Sequence, residues 1–296
     1  MTAPRPSLSV VVASYNSPTT LERCLESLEA QLLPADELIV ADCSSQDPRQ
    51  VFHREFVNVR FLRFDRPMTI PELRREGTKS SHGEIVALTE GRLVPSKDWA
   101  AMLCVAHTTH PKAPAVGGPL TSDPASAFDA AVFFCEYGLH MSPAADGPAS
   151  LLSGGNVSYK RWALDLFADL LEAAAWEPFW HQRLAAHGHG LLRSDGALVT
   201  YHNSLNPGQF LSQRYHYGRW FAALRLAGPR RLLQAALSPL VPPLLTFRLA
   251  RLAFARGRGG SFLRSLPWIL LFQSAWAWGE FCGYLFGKGS SDRRVF

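Results

Sequence analysis

The sequence is poor in cysteine, and its few cysteines are far apart. Five occur in 296 residues, an odd number with no CxxC pair. This argues against a disulfide framework and against a structural zinc site, so we expect buried thiols in a reducing compartment. The first seven residues hold two prolines and no apolar run. We therefore expect no secretory signal peptide.

Acidic residues are almost missing from the last third of the chain. Residues 203–296 contain thirteen Lys and Arg but two acids, whereas residues 1–202 contain 17 basic and 23 acidic residues. The C-terminal arginines interrupt long apolar runs, a pattern that suits an anionic membrane surface better than a nucleic acid. The sequence thus predicts association with a membrane surface and no nucleic-acid partner.

Apolar segments of strand length alternate with helical patterns in the first half of the chain. Continuous apolar runs predict strands at residues 8–13, Glu37–Asp42, 57–64, 84–88 and 116–120. Helices are predicted from residue 19 or 20 and at 70–81 and 99–107, and residues 128–139 suit a helix or an extended segment. This alternation predicts a doubly wound α/β domain.

Five groups of residues occur in the order of the motifs of a known enzyme family. They lie at residues 10–16, 38–47, 73–77, 83–88 and 154–161, and are followed by residues 176–177, 183–184 and 188. Together they resemble the family 2 glycosyltransferases, and the resemblance covers residues 8 to about 205. It implies a GT-A fold with a mixed sheet over residues 1–205, a donor of the UDP-sugar type, and a separate basic, apolar helical region over residues 206–296.

The resemblance implies a donor pocket at the ends of the first two strands. The turn of Ala13, Ser14, Tyr15 and Asn16 would lie under the nucleotide, and Asp42 would hydrogen-bond the base, a task that suits a carboxylate acceptor. The alternative for Asp42 is that it caps the turn that follows it.

Two arginines are candidates for contacting the diphosphate. Arg74 and Arg75 fall on a motif whose arginine stands near the donor, and we expect both on or near the exposed side of their helix. Guanidinium groups match phosphate oxygens in a bidentate manner. The motif position favours Arg74, and the alternative is a solvated helix face.

Residues 89–91 stand where the family carries an Asp-x-Asp metal motif. Thr89 and Gly91 replace the two acids and leave Glu90 as the carboxylate, so Thr89 and Glu90 are donor-binding candidates and binding of a divalent cation (Mg or Mn) is in doubt. Glu90 and, after the last predicted strand, His202 are the candidate metal ligands. Alternatively Arg92, together with the two arginines above, replaces the metal, or the site is inactive.

The remaining motifs imply a catalytic base and its surroundings. Residues 154–156 (Gly154, Gly155 and Asn156) would approach donor and acceptor, since glycines allow close backbone contact. Trp176 and Glu177 occupy the family's acid pair, which makes Glu177 the base of an inverting displacement, and Arg183 follows on the same motif. The alternatives are an ordinary glycine turn and a solvated Glu177 at a helix start.

The C-terminal region contains one aromatic segment and two apolar segments. A helix is predicted at residues 210–226, residues 232–247 include three prolines, and residues 266–286 carry one charge and are long enough to span a bilayer. Two membrane passes, an interfacial hairpin and a buried pair all remain open. Arginines between the two apolar segments favour a cytosolic position for the segment that connects them. We therefore expect interfacial helices on the cytoplasmic face of a membrane.

These observations predict a membrane-associated glycosyltransferase. It would move a sugar from a nucleotide-diphosphate donor to a lipid or glycan-precursor acceptor, in polysaccharide or glycolipid biosynthesis. The alternative is a catalytically silent homologue that binds a nucleotide or a partner at the membrane.

Overall fold

A computed structural model describes residues 5–225, 228, 230–291 and 294. The chain divides into two compact units, Met1–Thr121 with His140–His202, and Ser122–Leu139 with Asn203–Phe296. The predicted domain boundary after residue 205 stays a prediction.

The first unit is built around a mixed sheet. The strands of the chain are β1 (Leu8–Ser14), β2 (Glu37–Asp42), β3 (Val59–Arg63), β4 (Ile85–Glu90), β5 (Leu93–Pro95), β6 (Ala115–Gly117), β7 (Leu120–Ser122), β8 (Gly147–Ala149), β9 (Val157–Lys160), β10 (Leu191–Arg193) and β11 (Val199–Tyr201). Eight of them form one sheet in the order β3-β2-β1-β4-β9-β6-β10-β8, and β5, β11 and β7 form a small second sheet. Strands β1 to β4 are parallel, whereas β9 runs antiparallel to β4 and β6.

The α-helices fall into both units. They are α1 (Pro18–Glu29), α2 (Ile70–Lys79), α3 (Trp99–Thr109), α4 (Ala127–Tyr137), α5 (Arg161–Asp165), α6 (Ala168–Glu172), α7 (Glu177–Ala186), α8 (Pro207–Arg225), α9 (Arg230–Leu237), α10 (Val241–Ala255) and α11 (Gly259–Phe286). Helices α4 and α8 to α11 belong to the second unit.

Helix α2 is fixed in place by its N-terminus and by a glycine. The Thr69 hydroxyl accepts from the Glu72 N–H, and the Glu72 carboxylate accepts from the Thr69 N–H, which together form a capping box. One turn further, a Cβ on Gly77 would come within 2.2 Å of the Val11 side chain, so α2 packs directly on β1 only because this residue is glycine.

Helix α7 is anchored by aromatic packing. Trp180 stacks on Phe167 with ring centroids 4.9 Å apart, and Tyr159 meets Trp180 edge-on at 5.6 Å. The Tyr159 hydroxyl lies 2.9 Å from His181 Nε2, and burial lowers the pKa of His181 to about 3, which leaves the ring neutral. This packing sets the position of the first residue of α7, Glu177.

Several predicted elements differ from the structure in their limits. The strand predicted at 116–120 is two short strands, β6 and β7, because the chain turns at Gly118 and Pro119, and the segment 128–139 is helical. Strand β4 extends through Thr89 and Glu90, so these residues end a strand and do not lie in a loop. The predicted helix end at Leu226 lies outside the described residues.

Close backbone packing organises the second unit. A Cβ on Gly218 would come within 2.3 Å of the Trp276 carbonyl oxygen, and a Cβ on Gly279 within 2.1 Å of the Tyr215 carbonyl oxygen. Helices α8 and α11 therefore touch through glycines, as helices do where small residues face each other.

The C-terminal segments differ in how they are packed. Residues 266–286, which are predicted from the sequence to be long enough to span a bilayer, lie in α11, and twelve α11 residues are buried. The described stretch that is long and apolar enough to cross a membrane, on length and composition alone, is instead Arg230–Ala255, 26 residues that include α9 and α10.

Candidate active site

The ends of three neighbouring strands bring the predicted donor residues together. Ala13 pairs with Glu90 across β1 and β4, and Ser14 pairs with Asp42 across β1 and β2. In an open α/β sheet, ligands bind beyond the carboxyl ends of such strands. The edge formed by these residues is therefore the candidate active site, and it lies within the first unit.

A buried arginine connects two glutamates at this edge. Arg74 of α2 donates from Nη2 to Glu90 Oε1 at 2.7 Å and from Nη1 to Glu177 Oε1 at 2.5 Å. The side chains of Arg74 and Glu177 are 1% and 2% exposed, so both interactions are shielded from water and strengthened by the low local dielectric. We call this set Glu90–Arg74–Glu177 the arginine bridge.

The arginine bridge corrects the expectation that Arg74 lies on the exposed side of its helix. The spacing of residues along α2 does not reveal that two carboxylates face Arg74. The negative charges of Glu90 and Glu177 are what allow this guanidinium to be buried. Arg75 occupies the half-buried face instead, where it bonds Glu76 and the carbonyl of Glu172.

Gly154 lies against the arginine bridge. A Cβ at this position would come within 2.3 Å of Glu177 Oε2 and 2.7 Å of Arg74 Nη1. Both distances are shorter than a van der Waals contact, so any larger residue would displace the pair. The close backbone approach that the sequence predicts for this glycine is therefore directed at the arginine and the glutamate.

The loops after β1 and β2 are tied to each other. Asn16, which has a φ of 46°, donates its N–H to the Ser44 hydroxyl at 2.7 Å and accepts from the Ser45 N–H at 3.0 Å. Asp42 is fully buried and accepts from the N–H and hydroxyl of Ser44 at 3.0 and 2.7 Å. It also accepts from Arg63 of β3. Asp42 thus caps the turn, as one of its two sequence interpretations predicts.

Two other predicted residues line the same region. Tyr15 and Trp176 are partly buried and pack on an apolar cluster that includes Ala13 and Met68. The hydroxyl groups of Ser14 and Thr89 are buried at the strand ends, and within the described residues neither has a hydrogen-bond partner. Buried hydroxyl groups normally find a partner, so this edge offers polar atoms to a ligand.

Asn156 and Arg183 are engaged in the protein framework. Asn156 is completely buried, accepts from the Trp99 indole N–H at 2.8 Å and donates to the carbonyls of Pro119 and Ala197. Arg183 forms a two-pronged ion pair with the exposed Asp169. Neither side chain joins the arginine bridge.

Glu90 is surrounded by positive charge. Glu90 Oε1 is bonded to Arg74, and Glu90 Oε2 lies 3.6 Å from Arg92 Nη2. The Arg92 guanidinium lies 5.9 Å from the centre of the Tyr201 ring. The backbone carbonyl of Arg92 accepts from the His202 N–H at 2.9 Å. Among the described residues, no group of three His, Cys, Asp or Glu side chains could hold a metal ion.

Residues 9–132 match the family model for glycosyl transferase family 2. The first part of the chain is thus similar to the family 2 glycosyltransferases. A curated relative, glycosyltransferase AglE of Haloferax volcanii, is 30% identical over 105 residues, which are 33% of this chain and 34% of AglE. The chain thus spans about a third of the length of that relative. The family resemblance predicted from the sequence is confirmed over residues 9–132.

A solved glycosyltransferase structure shares its fold with this chain. GalNAc-T7, solved with UDP, GalNAc and Mn²⁺, superposes with a TM-score of 0.53 at 15% identity, over 68% of this chain and 44% of that chain. TarS of S. aureus gives a TM-score of 0.49 at 15% identity, over 80% of this chain and 43% of that chain. The predicted GT-A fold with a mixed sheet is confirmed.

Arg63 is the residue at the site that sequence reasoning did not single out. It donates to Asp42 and, at 3.0 Å, to the Ser44 carbonyl. The available signal was the parallel pairing of β2 and β3, which sets Arg63 directly beside Asp42. Two opposite charges at the ends of adjacent parallel strands are expected to meet.

Proposed function

We propose that the protein transfers a sugar from a nucleoside-diphosphate donor to an acceptor hydroxyl with inversion at the anomeric carbon. The observation that carries this proposal is the arginine bridge, which holds Glu177 beside Gly154 at the strand edge where the donor would bind. The match to the family 2 model and the GT-A fold support the reaction class.

Glu177 is the base in this proposal. Its Oε1 is bound to Arg74, so Oε2, which faces Gly154, takes the proton from the acceptor hydroxyl. The acceptor oxygen forms its bond to the anomeric carbon as the bond from that carbon to the phosphate oxygen breaks, and the nucleoside diphosphate leaves. Arg74 orients the base, because a carboxylate held by a buried guanidinium has one preferred geometry.

The donor nucleotide would lie on the loops after β1 and β2. The two hydroxyl groups of Ser14 and Thr89 are polar atoms that a ligand could satisfy, and Tyr15 offers an aromatic surface next to them. Asp42 and Arg63 together present an acceptor and a donor side by side, a combination that suits the edge of a base.

The acceptor side of the proposal is a lipid or a lipid-linked glycan at the cytoplasmic face of a membrane. Helices α9 and α10 form the stretch that is apolar enough to enter a bilayer. They expose Leu232, Leu233, Leu237, Leu244, Phe247 and Phe254. The same helices carry Arg230, Arg231, Arg248 and Arg251, which suit anionic headgroups. Residues 1–205 would then be the catalytic domain and residues 206–296 the membrane-associated region.

The test of the base is the substitution Glu177→Gln. We expect it to lower sugar transfer, measured as UDP or GDP release from a panel of nucleotide sugars, by at least about 100-fold. Affinity for the free nucleotide, measured by calorimetry, should stay within about threefold, because the amide keeps the shape of the carboxylate.

Glu172→Gln is the matched control, since Glu172 is an exposed glutamate of the preceding helix that pairs with Lys79. Unchanged turnover in Glu177→Gln would reject Glu177 as the base. Nucleotide binding by the wild-type protein with no turnover of any donor would instead support the catalytically silent homologue.

A further inference from the structure

The end of β4 and the two residues after it cannot supply the pair of carboxylates that a divalent cation requires. Residues 89–92 read Thr, Glu, Gly, Arg. Two side chains of a strand share a face when they are two residues apart, and neither 89 with 91 nor 90 with 92 gives two acids. Mg²⁺ and Mn²⁺ are held by hard oxygen ligands, mainly carboxylates, so the residues present do not fit such an ion.

The remaining carboxylate is already neutralised by the protein. Glu90 Oε1 accepts from Arg74 at 2.7 Å, and Glu90 Oε2 lies 3.6 Å from Arg92 Nη2. A dication bound to Glu90 would stand beside two guanidinium groups, whose charges repel it. Arg74 and Arg92 together balance the charges of Glu90 and Glu177, so this group of four leaves no uncompensated carboxylate for a dication.

We infer that Arg92 takes the place of the divalent cation and neutralises the donor's diphosphate. Its side chain is 11% exposed, and it is fixed by Tyr201 on one side and Glu90 on the other. Attraction to Glu90, whose Oε2 lies 3.6 Å from Arg92 Nη2, holds the guanidinium at the strand edge where the donor's phosphate oxygens would lie. Guanidinium and phosphate match in two-pronged geometry.

The position of Gly91 agrees with this inference. A Cβ on Gly91 would point at Leu21 and the Ser14 hydroxyl, at 3.3 and 3.4 Å, whereas Glu90 points at Arg74 of α2. A side chain at position 91 would therefore press on α1 and on the end of β1, where the donor is expected to lie. Glycine fits this packing, whereas the larger side chain of an acid would have to displace these neighbours.

The inference rests on the proposed function, since it needs a nucleoside-diphosphate donor. The test measures binding of UDP, GDP and uridine to the full chain by calorimetry, in EDTA and in MnCl₂. For the diphosphate that binds more tightly, we expect the dissociation constants in the two buffers to agree within about threefold. Arg92→Gln should weaken UDP binding by about tenfold or more and leave uridine binding unchanged.

Two further variants separate the loss of a charge from the loss of the fold. Arg54→Gln, at an exposed arginine paired with Glu29, should bind both ligands like the wild type. Arg92→Lys should recover part of the UDP affinity, because it restores the charge without the planar donor pair.

Two outcomes would overturn the inference. One is UDP or GDP binding that falls more than about tenfold in EDTA, and the other is an Arg92→Gln protein that binds UDP like the wild type. Failure of the wild type to bind any nucleoside diphosphate in either buffer would reject the proposed function itself, and the inference with it.

Discussion

At the scale of the residue, the absence of a side chain at position 154 is as important as the charges beside it. Arg74 and Glu177 come from α2 and α7, and the space that they share is closed by the backbone of Gly154. Removing one partner of a buried ion pair leaves an uncompensated charge that costs about 3–5 kcal/mol. A substitution at Gly154 changes the geometry of the same pair while keeping both charges.

Gly154→Ala tests that geometry. The added methyl would come within 2.3 Å of Glu177 Oε2, so the carboxylate must move, and we expect turnover of the donor to fall by about 100-fold. Overpacking should also lower the free energy of unfolding by about 1–3 kcal/mol. Donor turnover and urea unfolding of the same preparation measure the two effects.

Gly190→Ala is the matched control, because nothing lies within 4 Å of a Cβ at that position. It should show wild-type turnover. Wild-type turnover in Gly154→Ala would show that the base tolerates displacement, contrary to the proposed geometry.

At the scale of the element, one glutamate joins the amino ends of three strands. Glu37 begins β2 and accepts from the Ser9 hydroxyl of β1 at 2.5 Å and from the His82 N–H, just before β4, at 2.7 Å. Burial by itself would raise the pKa of Glu37, but the bonds from Ser9 and His82 outweigh it and lower the pKa from 4.5 to about 2. The ionised carboxylate is therefore the form that holds the strands together.

Glu37 should make the stability of the fold depend on pH in the acid range. A carboxyl group with a lowered pKa in the folded state contributes stability that is complete above its ordinary pKa of 4.5 and is lost as the pH falls through about 2. We expect the free energy of unfolding of the wild type to fall between these values, and Glu37→Gln to reduce that slope. Urea unfolding at a series of pH values measures this dependence of the free energy of unfolding.

The control is Glu26→Gln, a glutamate of α1 whose side chain is 51% exposed. This variant should keep the wild-type slope. An equal slope in Glu37→Gln and in the wild type would contradict the role given to Glu37.

At the scale of the whole molecule, charge and apolar surface are both unevenly distributed. Residues 203–296 hold thirteen basic residues and two acids, and α9 to α11 expose large apolar side chains. Exposed apolar surface next to arginine is the composition of an interfacial segment. Helices α9 and α10 lie in the described stretch that is long and apolar enough to cross a membrane, so their exposed side chains are the surface to test.

The triple variant Leu240→Ser, Leu244→Ser and Phe247→Ser tests this surface. These side chains are 60%, 56% and 62% exposed, so their replacement costs little in the fold. Because each apolar side chain withdrawn from a bilayer costs on the order of 1.5–3 kcal/mol, we expect binding to vesicles of phosphatidylcholine and phosphatidylserine to fall by at least about tenfold. Cosedimentation measures it, and high salt should weaken the binding of the wild type.

Val57→Ser is the control, since Val57 is 82% exposed in the first unit and should not affect vesicle binding. Equal cosedimentation of the triple variant and the wild type would show that the membrane contact lies elsewhere in the protein.

The sequence by itself determined the four parallel strands β1 to β4 and the order of the motifs. Fully buried parallel strands need apolar residues on both faces, so β1, β2 and β4 are continuous apolar runs, and the polar residues that end them mark the binding edge. These signals are local, because each depends on a few neighbouring residues. They were enough to predict the fold, and the place of the donor pocket stays a prediction.

Only the tertiary structure decided how the charges are paired. Arg74 and Glu177 are 103 residues apart, and they meet because α2 packs on β1 through Gly77 and α7 packs through Trp180. No periodicity in α2 distinguishes a buried arginine from a solvated one, since the cost of burial is offset by carboxylates from other elements. Likewise, only the tertiary structure shows that α11 packs closely on α8, because the contact is made through glycines that no hydrophobic pattern reveals.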